Sequence, residues 1–441
     1  MKKNTLLLTA FALLAFSSFP SFADDLLTVY KFAVKNDPQF RAAHAGYQAE
    51  REVKAQSRAL LYPSITLSAD YTDTNEETTG GSLLTPGIYE YNTKGYNLNL
   101  TQPLYRQKNY VGLRQADAQI AQALATFENA KQNLLLRVTT QYFAVLAAED
   151  DLAFAIAERK AIKEQLVQTE QRFNVGLIAI TDVHEARARH DQAVAQAIVA
   201  ENTLAISLET LREITAQDHQ KLAPLSTQHP LVKPEPADIK QWTETANNRN
   251  ALLKASQKAV DVAREEVSRQ RANHYPTLDL VANRNYSNFG GGPFGNRQRD
   301  DTTVSLQFNL PLYQGGLVNS QTRAAAFRLK QARENYELQK RATKRQTRNS
   351  YLSVIANISQ VKALKQALAS SSTALQATQA GFEVGTRTAV DVLNSQRELY
   401  RAQRDYAQVR YNYVLETLRL KQAAGTLSVL DIEQLNPWFK Q

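Results

Sequence analysis

Strict alternation of apolar and polar residues occurs at four places in a chain that is otherwise patterned for helix. Ile65, Leu67, Ala69 and Tyr71 alternate with Thr66, Ser68 and Asp70, and Tyr96, Leu98 and Leu100 alternate with Asn97, Asn99 and Thr101. A period of two with one apolar face predicts strands over 64–71 and 95–102. Leu278, Leu280 and Ala282, then Val304, Leu306, Phe308 and Leu310 against Ser305, Gln307 and Asn309, predict two more over 277–285 and 303–310. The connections Thr72 to Lys94 and Ser287 to Thr302 are polar and Gly-rich and read as surface loops.

Elsewhere the apolar spacing is seven. Leu113, Ile120, Phe127 and Leu134, with Ala116, Ala123 and Ala130 between them, have the spacing of a coiled-coil seam with small residues on one side. Val183, His190, Ala197, Leu204 and Leu211 repeat it, as do Val392, Leu399, Tyr406, Tyr413 and Leu420, so each segment keeps one face towards a neighbour over many turns. A continuous helix from Gln107 to Gly176, or from Leu317 to Gly385, would run about 100 Å. Asp24 to Tyr62 and Thr181 to Thr215 are about half as long, and stacked end to end they would match one long helix in height.

The signposts recur in order. Tyr62-Pro63-Ser64-Ile65-Thr66-Leu67 returns as Tyr275-Pro276-Thr277-Leu278-Asp279-Leu280, and Gln102-Pro103-Leu104-Tyr105 as Leu310-Pro311-Leu312-Tyr313. Phe173-Asn174-Val175-Gly176 returns as Phe382-Glu383-Val384-Gly385, and Glu209-Thr210-Leu211-Arg212 as Glu416-Thr417-Leu418-Arg419. Four ordered matches at nearly constant offset describe one duplicated unit rather than several domains. The division is then an export signal over 1–23, a first repeat over 24–216, a polar, Pro-containing connector over 217–237, a second repeat over 238–425 and a C-terminal equatorial tail over 426–441.

Composition changes this picture in two ways. The absence of Cys excludes disulfides and Cys-ligated metal centres. The net charge of +9 invites a nucleic-acid reading, but Lys2 and Lys3, the apolar run from Leu6 to Phe16 and the small-x-small Ser21-Phe22-Ala23 form an export signal with Asp24 as the mature N-terminus. Beyond it no apolar run is long enough for a membrane-spanning helix, so lipid contact would fall to the strands. Four strands cannot close a barrel, since small membrane barrels need about eight and open edges are excluded from lipid. Several chains must then share one barrel, and a conducting lumen needs three or more. The alternative is an exported trimeric coiled-coil scaffold or adhesin whose soluble sheet packs one face on the helices.

Three blocks carry a family resemblance. Gln171-Arg172-Phe173-Asn174-Val175-Gly176-Leu177-Ile178-Ala179-Ile180-Thr181-Asp182-Val183, Leu310-Pro311-Leu312-Tyr313-Gln314-Gly315-Gly316-Leu317-Val318-Asn319-Ser320-Gln321 and Val384-Gly385-Thr386-Arg387-Thr388-Ala389-Val390-Asp391-Val392-Leu393 resemble the TolC family of outer-membrane efflux proteins, and the likeness runs through the whole mature chain. It implies a mainly α fold with β strands: a homotrimer with a 12-stranded β-barrel in outer-membrane lipid, continued by a periplasmic α-helical barrel. The implied function is an exit duct for tripartite multidrug efflux pumps and type I protein secretion in the outer membrane of a Gram-negative cell. A periplasmic adaptor protein and an inner-membrane pump, proton-driven or ABC type, open its periplasmic end. The reading includes no enzyme activity, no cofactor and no nucleic acid.

The same resemblance assigns the tips. Gly176 and Gly385 end the long helices and permit a left-handed turn; Asn174, Val175, Gly176 and Val384, Gly385, Thr386 are the expected adaptor-docking turns. Thr181 and Thr388 are expected N-caps, and Thr388 with Asp391 has capping-box spacing. Thr181 and Asp182 match positions bonded by an arginine of the other hairpin, here Arg387, whose fork suits a carboxylate and a hydroxyl. Asp391 matches a ring of carboxylates at the constriction that favours cations and offers a multivalent cation a blocking site. Two positions depart from the pattern: Phe382 stands where a tyrosine hydroxyl bonds the aspartate, and Asn394 replaces a second aspartate ring. The departures imply a closed state with fewer latches and weaker cation block.

Other chemistry is weaker. His44, His184, His190, His219, His229 and His274 form no His-Glu-x-x-His motif, and Gly290 to Gly295 lies between strands rather than before a helix. Lys340, Arg341, Lys344, Arg345 and Arg348 read as a solvated helix face. Tyr62, Tyr71, Tyr105, Tyr275, Tyr286 and Tyr313 fall at strand ends, where membrane barrels carry aromatic girdles.

Overall fold

The computed structural model describes residues 23–79, 86–219, 221–226, 230–292 and 294–439. The expected export signal up to Phe22, and His229, lie outside them. The elements run α1 (Leu26–Asn36), α2 (Pro38–Ala59), β1 (Ser64–Thr78), β2 (Gly87–Arg106), α3 (Gln107–Asn174), α4 (Ile180–Thr215), α5 (Ile239–Arg249), α6 (Ala251–Arg271), β3 (Thr277–Phe289), β4 (Arg297–Asn309), α7 (Leu317–Glu383), α8 (Ala389–Ala423) and α9 (Val429–Leu435).

The strands form one antiparallel sheet in the order β1-β2-β3-β4. Its register sets Ile65 against Leu100, Leu67 against Leu98, Leu100 against Ala282, and Leu280 against Leu306, so the apolar positions share one face. No helix packs along that face among the described residues, and Ile65, Leu67, Leu98, Val304, Leu306 and Phe308 stand exposed. A soluble sheet of this composition would have to bury that face on the helices; the scaffold alternative fails on this point. The opposite face is polar and bonded to itself, as where the Asn97 side chain donates to Asn283 at 2.8 Å.

The strands are longer than the alternation predicted. β1 runs to Thr78 and β2 begins at Gly87, so most of the expected loop from Thr72 to Lys94 is ladder. Likewise β3 reaches Phe289 and β4 begins at Arg297, inside the expected loop from Ser287 to Thr302. The extensions carry polar side chains on both faces, such as Asp73, Asn75, Glu76 and Glu77, so pairing continues where the apolar signal stops. Tyr62, Tyr105, Tyr275 and Tyr313 lie at one end of the apolar band and Tyr71 and Tyr286 at the other. Tyr71 lies nine residues beyond Tyr62 and Tyr286 eleven beyond Tyr275, which in a tilted strand is about the 25 Å of a barrel's apolar band.

α3 has 68 residues and α7 has 67. The seam residues Ala116, Phe127, Leu134, Val183, Ala186, Ala193, Ala197, Leu211, Val392, Ala402, Tyr413 and Leu420 are buried. The shorter helices are interrupted where one was expected from Asp24 to Tyr62. Asp37 is held extended before Pro38, ending α1, and its side chain accepts from Phe40 N–H at 2.8 Å to start α2. Asn250 makes the equivalent break between α5 and α6, accepting from Leu253 N–H at 2.9 Å. At both breaks an amide caps the end of the helix stacked below: Asn36 Nδ2 donates to Thr215 O at 2.7 Å and Asn250 Nδ2 to Ala423 O at 3.0 Å. These bonds tie the first break to the end of α4 and the second to the end of α8.

The largest core lies at mid-height, where the connector and tail cross the helices and bury Tyr142, Phe143, Leu211, Leu222, Tyr413, Leu418 and Ile432. Tyr142 Oη donates to Ala223 O at 2.8 Å, and Tyr413 Oη bonds both polar groups of Val232. Asp24 joins this belt through a bridge to Leu222 and a 2.8 Å contact with His219 Nδ1.

The repeats end their second helices unequally: Ala216 and Gly425 both have positive φ, 54° and 71°. A side chain in that region costs roughly 1–2 kcal/mol, part of which glycine returns as unfolded-chain entropy. Ala216→Gly is therefore expected to raise stability by roughly 0.5–1 kcal/mol, read as a higher midpoint in thermal unfolding of the detergent-extracted protein. Gly425→Ala, whose Cβ would strike the Arg249 carbonyl, is expected to lower it by about 3 kcal/mol.

Candidate functional site at the helical tips

Each long helix ends in the same turn. Leu177 N–H bonds Arg172 O at 2.9 Å and Thr386 N–H bonds Gly381 O at 2.8 Å, the six-to-one bond of a Schellman motif with Gly176 and Gly385 in the left-handed position at φ 76° and 79°. An added Cβ at either glycine would meet nothing within 4 Å, so the turns are bare outward. Asn174, Val175, Val384 and Thr386 are exposed around them.

The N-caps of the returning helices fall three residues past each glycine, at Ala179 and Thr388. The expected N-cap at Thr181 is thus incorrect: α4 begins at Ile180, Ala179 makes no side-chain cap, and Thr181 lies inside the first turn. Identical turn geometry fixes the cap position, and the first repeat has no polar side chain there. The second does. Thr388 N–H donates to Asp391 Oδ2 at 3.0 Å, and Asp391 N–H donates to Thr388 Oγ1 at 3.2 Å, completing a capping box. The Thr388 backbone N–H and hydroxyl, with a lesser pull from Arg387, hold the Asp391 carboxyl below its usual range.

Phe382 is buried with Ala389, Val392 and Leu375 beneath the second tip. Arg387 is exposed and lies across Gly381, where a Cβ would come within 2.8 Å of its Cγ. Thr181 is exposed and Asp182 half-buried at the first tip; among the described residues of one chain Asp182 and Arg387 form no ion pair. Asn394 faces the other hairpin across a cavity of about 70 Å³ that Glu158, Arg189 and Arg397 also line.

Two contacts between the hairpins escaped the sequence. Arg404 reaches buried Glu158 at 3.0 Å, and the Arg172 guanidinium sits 4.1 Å from the centroid of the Phe382 ring while donating to Phe382 O at 3.3 Å. Arg172 corresponds to Gly381 in the other repeat, and that mismatch was the available signal.

The outer membrane efflux protein profile matches residues 29–217 and again residues 242–426. The chain belongs to the outer membrane efflux protein family. It is 37% identical over 445 residues to the outer membrane protein TolC of Vibrio cholerae, covering 100% of this chain and 99% of that one. It is also 30% identical to the alkaline protease secretion protein AprF of Pseudomonas aeruginosa, covering 94% and 87% of the two chains. The Campylobacter jejuni CmeC outer membrane channel shares the fold, with a TM-score of 0.77 at 16% identity over 94% of this chain and 90% of that one. These relatives are channel and secretion proteins rather than enzymes. The chain is an outer-membrane efflux duct of a Gram-negative cell.

Because the folded Asp391 carboxyl is more acidic than the unfolded one, the cap it makes is intact at neutral pH and is lost only as pH falls through the lowered value, beneath the ordinary aspartate range. Protection of the amides in the first turn of α8, taken relative to their intrinsic exchange rate at each pH, is expected to hold down to that range and fall beneath it. Asp391→Asn should remove this pH dependence.

Proposed function

We propose that three copies of this chain close a 12-stranded barrel in outer-membrane lipid and continue it as a periplasmic helical tunnel. The observation that carries this reading is the sheet itself: four strands with an exposed apolar face, and edges β1 and β4 unpaired within the chain. Substrate moves through the tunnel passively, and an inner-membrane pump, proton-driven or ABC type, supplies energy and selects cargo. A periplasmic adaptor docks on the bare turns at Asn174, Val175, Gly176 and at Val384, Gly385, Thr386. The likeness to AprF supports a share in type I protein secretion as well as multidrug efflux.

The tips form the gate. Arg387 of one hairpin binds Thr181 and Asp182 of another in the closed assembly, where its fork meets a hydroxyl and a carboxylate. Asp391 supplies one carboxylate per copy to a ring that attracts cations, and Asn394 supplies none where a second ring would add charge. Phe382 brings no hydroxyl to the latch.

The native mass of the detergent-extracted protein is expected to correspond to three chains; a stable monomer would leave the sheet open and overturn the duct. In planar bilayers Arg387→Ala is expected to raise resting conductance, and Asn394→Asp to tighten block by a multivalent cation. Unchanged block would remove Asn394 from the constriction.

A further inference from the structure

The two repeats share a backbone at their tips but differ in chemistry. Where the first carries Arg172, the second carries Gly381; where the second carries Arg387, the first carries Ile178. Both arginines therefore lie near the same small region of the second hairpin, one over Gly381 and one over Phe382. Phe382 is only 6% exposed, and its lower side packs on Val392 and Ala389, which are buried. Its remaining face is covered by the guanidinium of Arg172, which belongs to the first hairpin.

We propose that Arg172 and Phe382 form a clasp that ties the two helical hairpins of each chain together in the closed duct, in place of a hydroxyl latch. The inference rests on the gate reading above. Three features make the contact more than chance proximity. The guanidinium lies 4.1 Å from the ring centroid, well within the range of cation–π attraction. The same side chain donates to the Phe382 carbonyl at 3.3 Å, so ring and backbone hold it at two points. The carbonyl also accepts from Gly385 N–H at 3.2 Å, which couples the clasp to the glycine turn.

The contact is suited to a gate because it is directional and breakable. Separation of the hairpins by a few ångströms exposes both partners to water, which solvates the guanidinium well, while Phe382 stays seated on its own hairpin through Val392 and Ala389. The clasp therefore favours the closed arrangement without being needed for folding of either tip. Arg172 is a positioning residue: it lines neither the adaptor turn nor the carboxylate ring.

The test is the resting conductance of the full-length protein in planar bilayers. Arg172→Ala is expected to raise open probability roughly two- to tenfold, Arg172→Lys to raise it less, and Phe382→Leu, which keeps the apolar volume but removes the ring, to raise it about as much as Arg172→Ala. The double variant Arg172→Ala/Phe382→Leu should show little beyond either single change, because both act on one contact. Additive effects in the double variant would overturn the clasp. So would an unchanged Arg172→Ala channel when Arg387→Ala opens, and that outcome would leave the gate reading standing. If Arg172→Ala, Phe382→Leu and Arg387→Ala all leave conductance unaltered, the gate itself is misplaced and the clasp falls with it.

Discussion

An unpaired strand edge is tolerable in water and prohibitive in lipid, where each unmatched backbone N–H or C=O costs several kcal/mol. Among the described residues this chain has a sheet of four strands, an apolar face that no helix covers, and two unpaired edges. The proposed closure by further copies would satisfy all three conditions at once. The rest of the architecture follows from where the strands end: β2 passes directly into α3, and β4 leads to α7 after a short turn. In the proposed assembly a ring of strands is continued by a ring of helices, and helices of this length carry the tips about 100 Å from the sheet.

Rigidity is distributed unevenly along that length. The connector and tail wrap the helices at mid-height and enclose the largest core among the described residues, with Tyr142 and Tyr413 bonding the connector's backbone. Towards the tips the buried clusters shrink to a few residues, such as Ile162 with Ala186, Ala193 and Leu393, or Phe382 with Ala389 and Val392. Small clusters lose little buried area when they separate, so the tips are the part of the molecule able to move while the belt stays intact.

The duplicated unit explains the economy of the design, and its asymmetry gives it chemistry. Both tips use a glycine in the left-handed region to reverse the chain. Only the second adds a capping box, and each places its arginine at a different point of the turn. A strictly symmetric pair of hairpins would present like charges to one another; the diverged pair sets Arg172 against an aromatic face and leaves Arg387 free to reach outward.

The sequence by itself determined the duplication, the four strands, the long helices and the two turns, because each is written in local periodicity: period two for a half-covered strand, seven for a helical seam, and glycine where φ must be positive. It also determined the Thr388 capping box, whose partners are three residues apart. Strand ends escaped it, because pairing in the outer parts of β1 to β4 continues with polar side chains on both faces. The breaks at Asp37 and Asn250 rest on caps made three residues on, with Pro38 beside the first, and were hidden by the helical pattern on either side; the cap at Ala179 rather than Thr181 was set by the turn geometry. Contacts such as Arg172 with Phe382 and Arg404 with Glu158 join residues more than two hundred positions apart, and no local pattern records them. Tertiary packing alone decided those, because only the folding of one hairpin onto the other brings the charge and its partner together.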